Sequence, residues 1–94
     1  MPSLSKDDAQ ARLRNLKNWA LDEDTIRKQF VFGSFREAIS FVVRLAFECE
    51  EADHHPDITV NYKKVTLVYS THSEGGLTDK DFAGAAAADR ISWV

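Results

Sequence analysis

One segment, Ser34 to Ala52, has enough length and pattern to constrain the rest of the chain. Ser34 with Glu37 three residues later has the form of a capping box, which opens a helix. Ala38, Val42, Leu45 and Cys49 follow as one apolar stripe at helical spacing. Phe35, Ile39 and Ala46 widen the stripe on one side, Phe41 and Ala52 on the other. Arg36, Ser40, Arg44, Glu48 and Glu51 fill the opposite face, and Phe47 falls among them. Such a helix is stable only when its stripe is buried against a second layer. The arc is also wider than one sheet requires, and the surplus points to a subunit interface.

The second layer is legible on both sides of this helix. Thr25 to Phe32 has strand composition, with Ile26, Phe30 and Phe32 on one face and Lys28 interrupting it. The apolar run Trp19-Ala20-Leu21 and the turn-like Asp22-Glu23-Asp24 precede it, so this half reads as a hairpin. Downstream, Ile58, Val60 and Tyr62 alternate, as do Val65, Leu67 and Tyr69, with a turn between them in Asn61 to Lys64. Pro56 is expected to end the long helix and to bias His55 toward extended geometry.

Two further helices close the ends. Ser5 with Asp8 is a capping-box pattern, and Ala9, Leu13 and Leu16 follow at helical spacing, which predicts a helix to near Asn18. Gly75-Gly76 breaks the chain. Thr78 with Asp81 then opens a last helix, running through Ala85 to Ala88 almost to Val94. The order is α-β-β-α-β-β-α. The simplest packing is an α+β fold, a four-stranded antiparallel sheet with three helices on one face.

Ninety-four residues make a single domain, 1–94, with one modest core. With a formal net charge of −3 and scattered basic residues, nothing in the charge pattern suggests direct nucleic-acid binding. The start, Met1 to Asp8, lacks the apolar run of a signal peptide, and no stretch is long enough to span a membrane. Cys49 is the single cysteine and cannot form an internal disulfide. It falls on the apolar helical face as a small buried thiol, which fits a reducing compartment and a cytoplasmic location.

The chemistry concentrates in three histidines. His54 and His55 stand side by side after Asp53, and His72 follows the second strand pair. A hairpin returns the chain to where it began, so His72 is expected near the other two. Imidazole has an unperturbed pKa of about 6.5 and exchanges protons near neutrality. Plainer readings exist for each residue. Histidines suit a helix end, where the dipole favours cations. Zinc takes His and carboxylate ligands, but adjacent histidines rarely point to one ion and the usual metal spacings are absent. Asp81 reads as the capping partner of Thr78, Glu50 as a solvated helix edge, and Trp19 equally as core or as pocket wall. His72, at a strand end, has the weakest structural excuse.

Taken together, Glu50, His54-His55-Pro56, Tyr62, His72 and Asp81 fall in register with the pattern of the pterin-4a-carbinolamine dehydratases, and the chain resembles that family. Trp19, the strand Lys28 to Phe32 and Phe35 extend the likeness. The resemblance implies removal of water from a 4a-hydroxytetrahydropterin to give a quinonoid dihydropterin, in recycling of the cofactor of aromatic amino-acid hydroxylases. It implies His54, His55 and His72 as catalytic residues. It implies Asp53, Ser70, Thr71 and Trp19 as substrate-contacting residues. The segment Ser73-Glu74-Gly75-Gly76 departs from mammalian members, and no pterin contact is assigned to Glu74. The pterin is the substrate; no cofactor and no metal are implied. A homodimer or tetramer is implied. Alternatives are a non-catalytic module that stabilises dimers of a partner such as a homeodomain transcription factor, or a homologue serving another pterin pathway such as molybdopterin metabolism.

Overall fold

The computed structural model describes residues 3–93. Met1, Pro2 and Val94, at the ends of the expected first and last segments, lie outside the described residues. The elements run α1 (Lys6–Leu13), β1 (Ala20–Asp22), β2 (Thr25–Val31), α2 (Phe35–Ala52), β3 (Asp57–Asn61), β4 (Lys64–Tyr69) and α3 (Asp79–Ser92), with a 3-10 turn at His72–Glu74. The expected order α-β-β-α-β-β-α is the observed one.

All strand pairings are antiparallel, in the order β1-β2-β4-β3. Register follows from the period of two: Ile26 lies opposite Tyr69, Phe30 opposite Val65, and Ile58 opposite Leu67. Ile26, Phe30, Val65, Leu67 and Tyr69 therefore share the face that the helices cover, and all are buried. Phe41 of α2 drops into this layer, 4.9 Å from the Phe30 ring and 5.1 Å from Phe32. Ala38, Leu45 and Cys49 are buried beside it. Lys28, which interrupts the apolar face of β2, pairs with Asp89 of α3 at 2.7 Å while its ammonium sits over the Phe30 ring.

The first helix ends earlier than its spacing predicts, whereas the long helix ends at Ala52 as expected, by a left-handed cap. The first helix stops at Leu13, not near Asn18. Two turns, Asn15 N–H to Arg12 and Leu16 N–H to Leu13, still bring Leu16 against the core. Spacing alone does not separate such turns from a continued helix. The long helix ends at Ala52, before Pro56 acts. Asp53 adopts a left-handed conformation, φ 51°, and its N–H and that of His54 close on the carbonyls of the last turn.

The α2 stripe is only partly covered. Phe35, Ile39, Val43 and Phe47, four residues apart, form an exposed ridge on the side of α2 away from the core, with Phe47 73% exposed. Among the described residues no helix is long and apolar enough to cross a membrane.

Candidate active site

The C-terminus of α2, the exit of β4 and the start of α3 meet around one carboxylate. Asp81 is the third residue of α3 and completes the capping box with Thr78: its Oδ2 accepts the Thr78 N–H at 2.9 Å. The capping geometry aims the carboxyl inward, where it is fully buried. Oδ2 also accepts the Thr71 hydroxyl at 2.7 Å, and Oδ1 lies 2.6 Å from His54 Nε2.

The donor inventory orders the protons. Thr71 spends its one hydroxyl hydrogen on Asp81, so the 2.8 Å contact between the two threonine hydroxyls has Thr78 as donor. An ionised Asp81 has only acceptors, so His54 Nε2 carries the hydrogen that faces it. Three donors compensate the buried carboxylate, and the His54 tautomer follows: in the neutral ring Nδ1 is left as the acceptor. The capping reading of Asp81 is thus correct and incomplete, because one oxygen caps α3 and the other holds His54.

The two adjacent histidines diverge. His54 is largely buried, and its ring stacks on Tyr69 with centroids 5.9 Å apart and an interplanar angle of 22°. His55 points outward and pairs through Nε2 with Glu50 at 2.9 Å, so Glu50 is an exposed helix edge with a partner. Asp53 is exposed at the left-handed helix cap. His54 lines a mostly apolar cavity of about 150 Å³ between α2 and α3, whose other walls include Cys49, Tyr69, Lys80 and Gly84. Burial pushes both the Tyr69 phenol and the Cys49 thiol up, and both groups border this cavity.

His72 lies in the 3-10 turn and lines a second, open cavity of about 400 Å³ with Ser70, Thr25, Gly75 and the acidic turn Asp22 to Asp24. His54 and His72 therefore border different cavities. The link between these regions is Thr71, whose neighbour is His72 and whose hydroxyl meets the carboxylate that binds His54. Thr71 is buried, and its backbone N–H and C=O are both taken up within the loop by Gly76. Trp19 sits in the core: its ring meets Phe30 edge-on and lies 6.0 Å from Tyr69, and its Nε1–H donates to Asp89 at 3.0 Å. Among the described residues no group of three or more His, Cys, Asp and Glu side chains is placed to hold a metal ion.

Tyr69 and Gly84 stand beside His54 without a local sequence signal. Tyr69 reads as the inward residue of a strand, and Gly84 as a gap in an alanine-rich helix.

Comparison with known proteins agrees with this architecture. The family model for pterin 4 alpha carbinolamine dehydratase matches residues 2–91. A relative from Chloroflexus aurantiacus is 45% identical over 91 residues, covering 97% of this chain and 98% of its own length. One from Opitutus terrae is 47% identical over 96 residues, covering 100% and 99%. Both carry the name "Putative pterin-4-alpha-carbinolamine dehydratase". The crystal structure of a transcriptional coactivator/pterin dehydratase from Brucella melitensis superposes with a TM-score of 0.92 at 30% identity, covering 96% of this chain and 98% of that one. A pterin dehydratase-like protein identified as a RuBisCO assembly factor in the alpha-carboxysome superposes with a TM-score of 0.66 at 25% identity, over 80% of this chain and 87% of its own. With its full-length sequence match, its helix-covered four-stranded sheet and a histidine pair leaving the long helix, the chain belongs to the pterin-4a-carbinolamine dehydratase family.

Proposed function

We propose that the chain dehydrates a 4a-hydroxytetrahydropterin to the quinonoid dihydropterin and water, in the cytoplasm, serving the cofactor of an aromatic amino-acid hydroxylase. The observation that carries the chemistry is the buried Asp81 carboxylate on His54 Nε2 at 2.6 Å. Loss of hydroxide from a carbinolamine carbon is slow unless the leaving oxygen is protonated. As the C–O bond breaks and a C=N bond forms, one proton goes to the departing oxygen and one leaves the ring nitrogen. One acid and one base suffice, each contributing about 10²–10⁴-fold. Asp81 orients His54, whose Nδ1 is the proton-exchanging atom, and His72 approaches from the other side of the Thr71 junction. His55 is the third histidine of the scheme. In this reading Asp53 and Ser70 meet the polar edge of a flat pterin. Thr71 contributes through its hydroxyl on Asp81, and Trp19 acts from behind, as support for Tyr69. The scheme uses no metal and no cofactor.

Alanine substitutions of the histidines test the assignment and should be unequal. His54→Ala is expected to lower kcat most, by about 10²–10³-fold. It should also cost about 1–3 kcal/mol of stability, because Asp81 loses a donor while remaining buried. His55→Ala and His72→Ala remove exposed side chains and should leave the melting temperature nearly unchanged while lowering kcat less. The His54/His72 double variant should fall short of the product of the singles. Wild-type turnover of the 4a-carbinolamine in all three single variants would remove the acid/base assignment.

The exposed ridge Phe35, Ile39, Val43 and Phe47 supports an assembled protein, a homodimer or a tetramer built from two dimers. Light scattering at micromolar concentration should give a multiple of the 10.6 kDa chain mass. Phe47→Glu should lower that mass, and a monomeric wild type would count against assembly through this ridge. The same ridge is what a non-catalytic interaction module would use. Turnover by the purified wild-type protein, coupled to a hydroxylase, separates the enzyme from the module.

A further inference from the structure

We propose that Tyr69 is a positioning residue for the dehydration, its ring fixing the plane of the His54 imidazole; this rests on the dehydratase reading above. The bond from Nε2 to Asp81 fixes one atom of the ring and leaves the ring free to turn about that tether. A second restraint is needed to aim Nδ1. The Tyr69 ring supplies it, nearly parallel to His54 at 22° with centroids 5.9 Å apart.

Tyr69 is itself held on several sides. It is almost fully buried at the end of β4, opposite Ile26 in register. Trp19 leans against it at 6.0 Å, and Cys49 of α2 borders the same cavity. A further support is Gly84. A Cβ there would lie 2.5 Å from Tyr69 Cε1 and 2.8 Å from Cζ, so α3 can lie against the ring only because this residue has no side chain. A helix-interior glycine among alanines is unfavourable for the helix, and here it stands where the tyrosine ring passes. Burial pushes the phenol pKa up, so Tyr69 stays protonated and does not act as a base. Its contribution is geometric, of the kind by which supporting groups hold a reacting side chain in its productive orientation.

The test compares wild type, Tyr69→Leu and Tyr69→Phe by turnover and by the NMR shifts of the His54 ring protons. In wild type those protons should be displaced from their values in the urea-unfolded chain by the ring current of Tyr69. Tyr69→Leu should abolish the displacement and lower kcat by about tenfold with KM within about twofold, and Tyr69→Phe should restore both. A purely structural tyrosine would change the melting temperature and leave kcat in place. A folded Tyr69→Leu variant with wild-type kcat overturns the proposal alone. An undisplaced His54 ring in wild type overturns it even where Tyr69→Leu fails to fold. A wild type with no turnover of the 4a-carbinolamine overturns the dehydratase reading together with it.

Discussion

Asp81→Asn is expected to lower kcat by about 10²–10³-fold, with KM changed far less. The reason lies in counting donors. The carboxylate accepts from the Thr78 N–H, the Thr71 hydroxyl and His54 Nε2. An amide has one oxygen and one NH₂ group. If its oxygen stays with Thr78 and Thr71, its NH₂ faces a ring nitrogen that already carries hydrogen. His54 must then switch tautomer, so that Nε2 accepts and Nδ1 carries the proton. The atom proposed to exchange protons with the substrate would be in the wrong state, the logic by which a buried aspartate sets the histidine in hydrolase triads. The alternative flip leaves the Thr78 N–H or the Thr71 hydroxyl unpaired in a buried site. Either arrangement should cost about 1–3 kcal/mol of stability, measurable by urea unfolding. Thr71→Val removes one donor while leaving the His54 bond, and should lose less activity than Asp81→Asn. An Asn variant turning over within twofold of wild type would show that His54 needs no carboxylate partner.

Gly84→Ala should destabilise the fold by about 2 kcal/mol, although alanine is the better helix former by about 1 kcal/mol. Two effects of opposite sign compete, and distance decides between them. The new methyl would stand 2.5 Å from Tyr69 Cε1, closer than carbon atoms approach. The ring is almost fully buried, and Trp19 and His54 limit its retreat. Helix α3 would have to lift from the sheet or Tyr69 leave its rotamer, and overpacking of this kind costs about 1–3 kcal/mol. For a domain of this size the melting temperature should fall by about 10 °C. Ala86→Gly, on the exposed side of the same helix, should cost about 1 kcal/mol through propensity alone. If Gly84→Ala raises the melting temperature, propensity has won and the close packing of α3 on Tyr69 is not rigid.

His54 differs in kind from the other two histidines. A histidine in an open cleft can be removed with little loss of folding, and that expectation suits His55 and His72. His54 is embedded, bonded to a buried carboxylate and stacked on a buried ring, so its removal should affect stability and turnover together. Nothing in the adjacent pair His54-His55 distinguishes the two. The difference appears only in the fold, where His54 turns in to Asp81 and His55 turns out to Glu50.

The amino-acid sequence by itself determined the elements and the faces they bury. The period of two in Ile26 to Phe32 and in Val65 to Tyr69, and the helical stripe through Ala38, Leu45 and Cys49, are local properties that survive into the buried layer. So do the caps at Ser5, Ser34 and Thr78. Each depends on residues a few positions apart, which is the range that pattern reading reaches. Family membership was legible for the same reason, because its motif is a spacing. Only the tertiary structure decided what the side chains do to one another. It spent the two oxygens of Asp81 on a cap three residues away and on a histidine 27 residues away. It placed Trp19 in the core, and it set His54 and His72 on different cavities. Those outcomes depend on which surfaces meet once α2, β4 and α3 have docked, and the free energy of that docking comes from contacts between residues far apart in the chain.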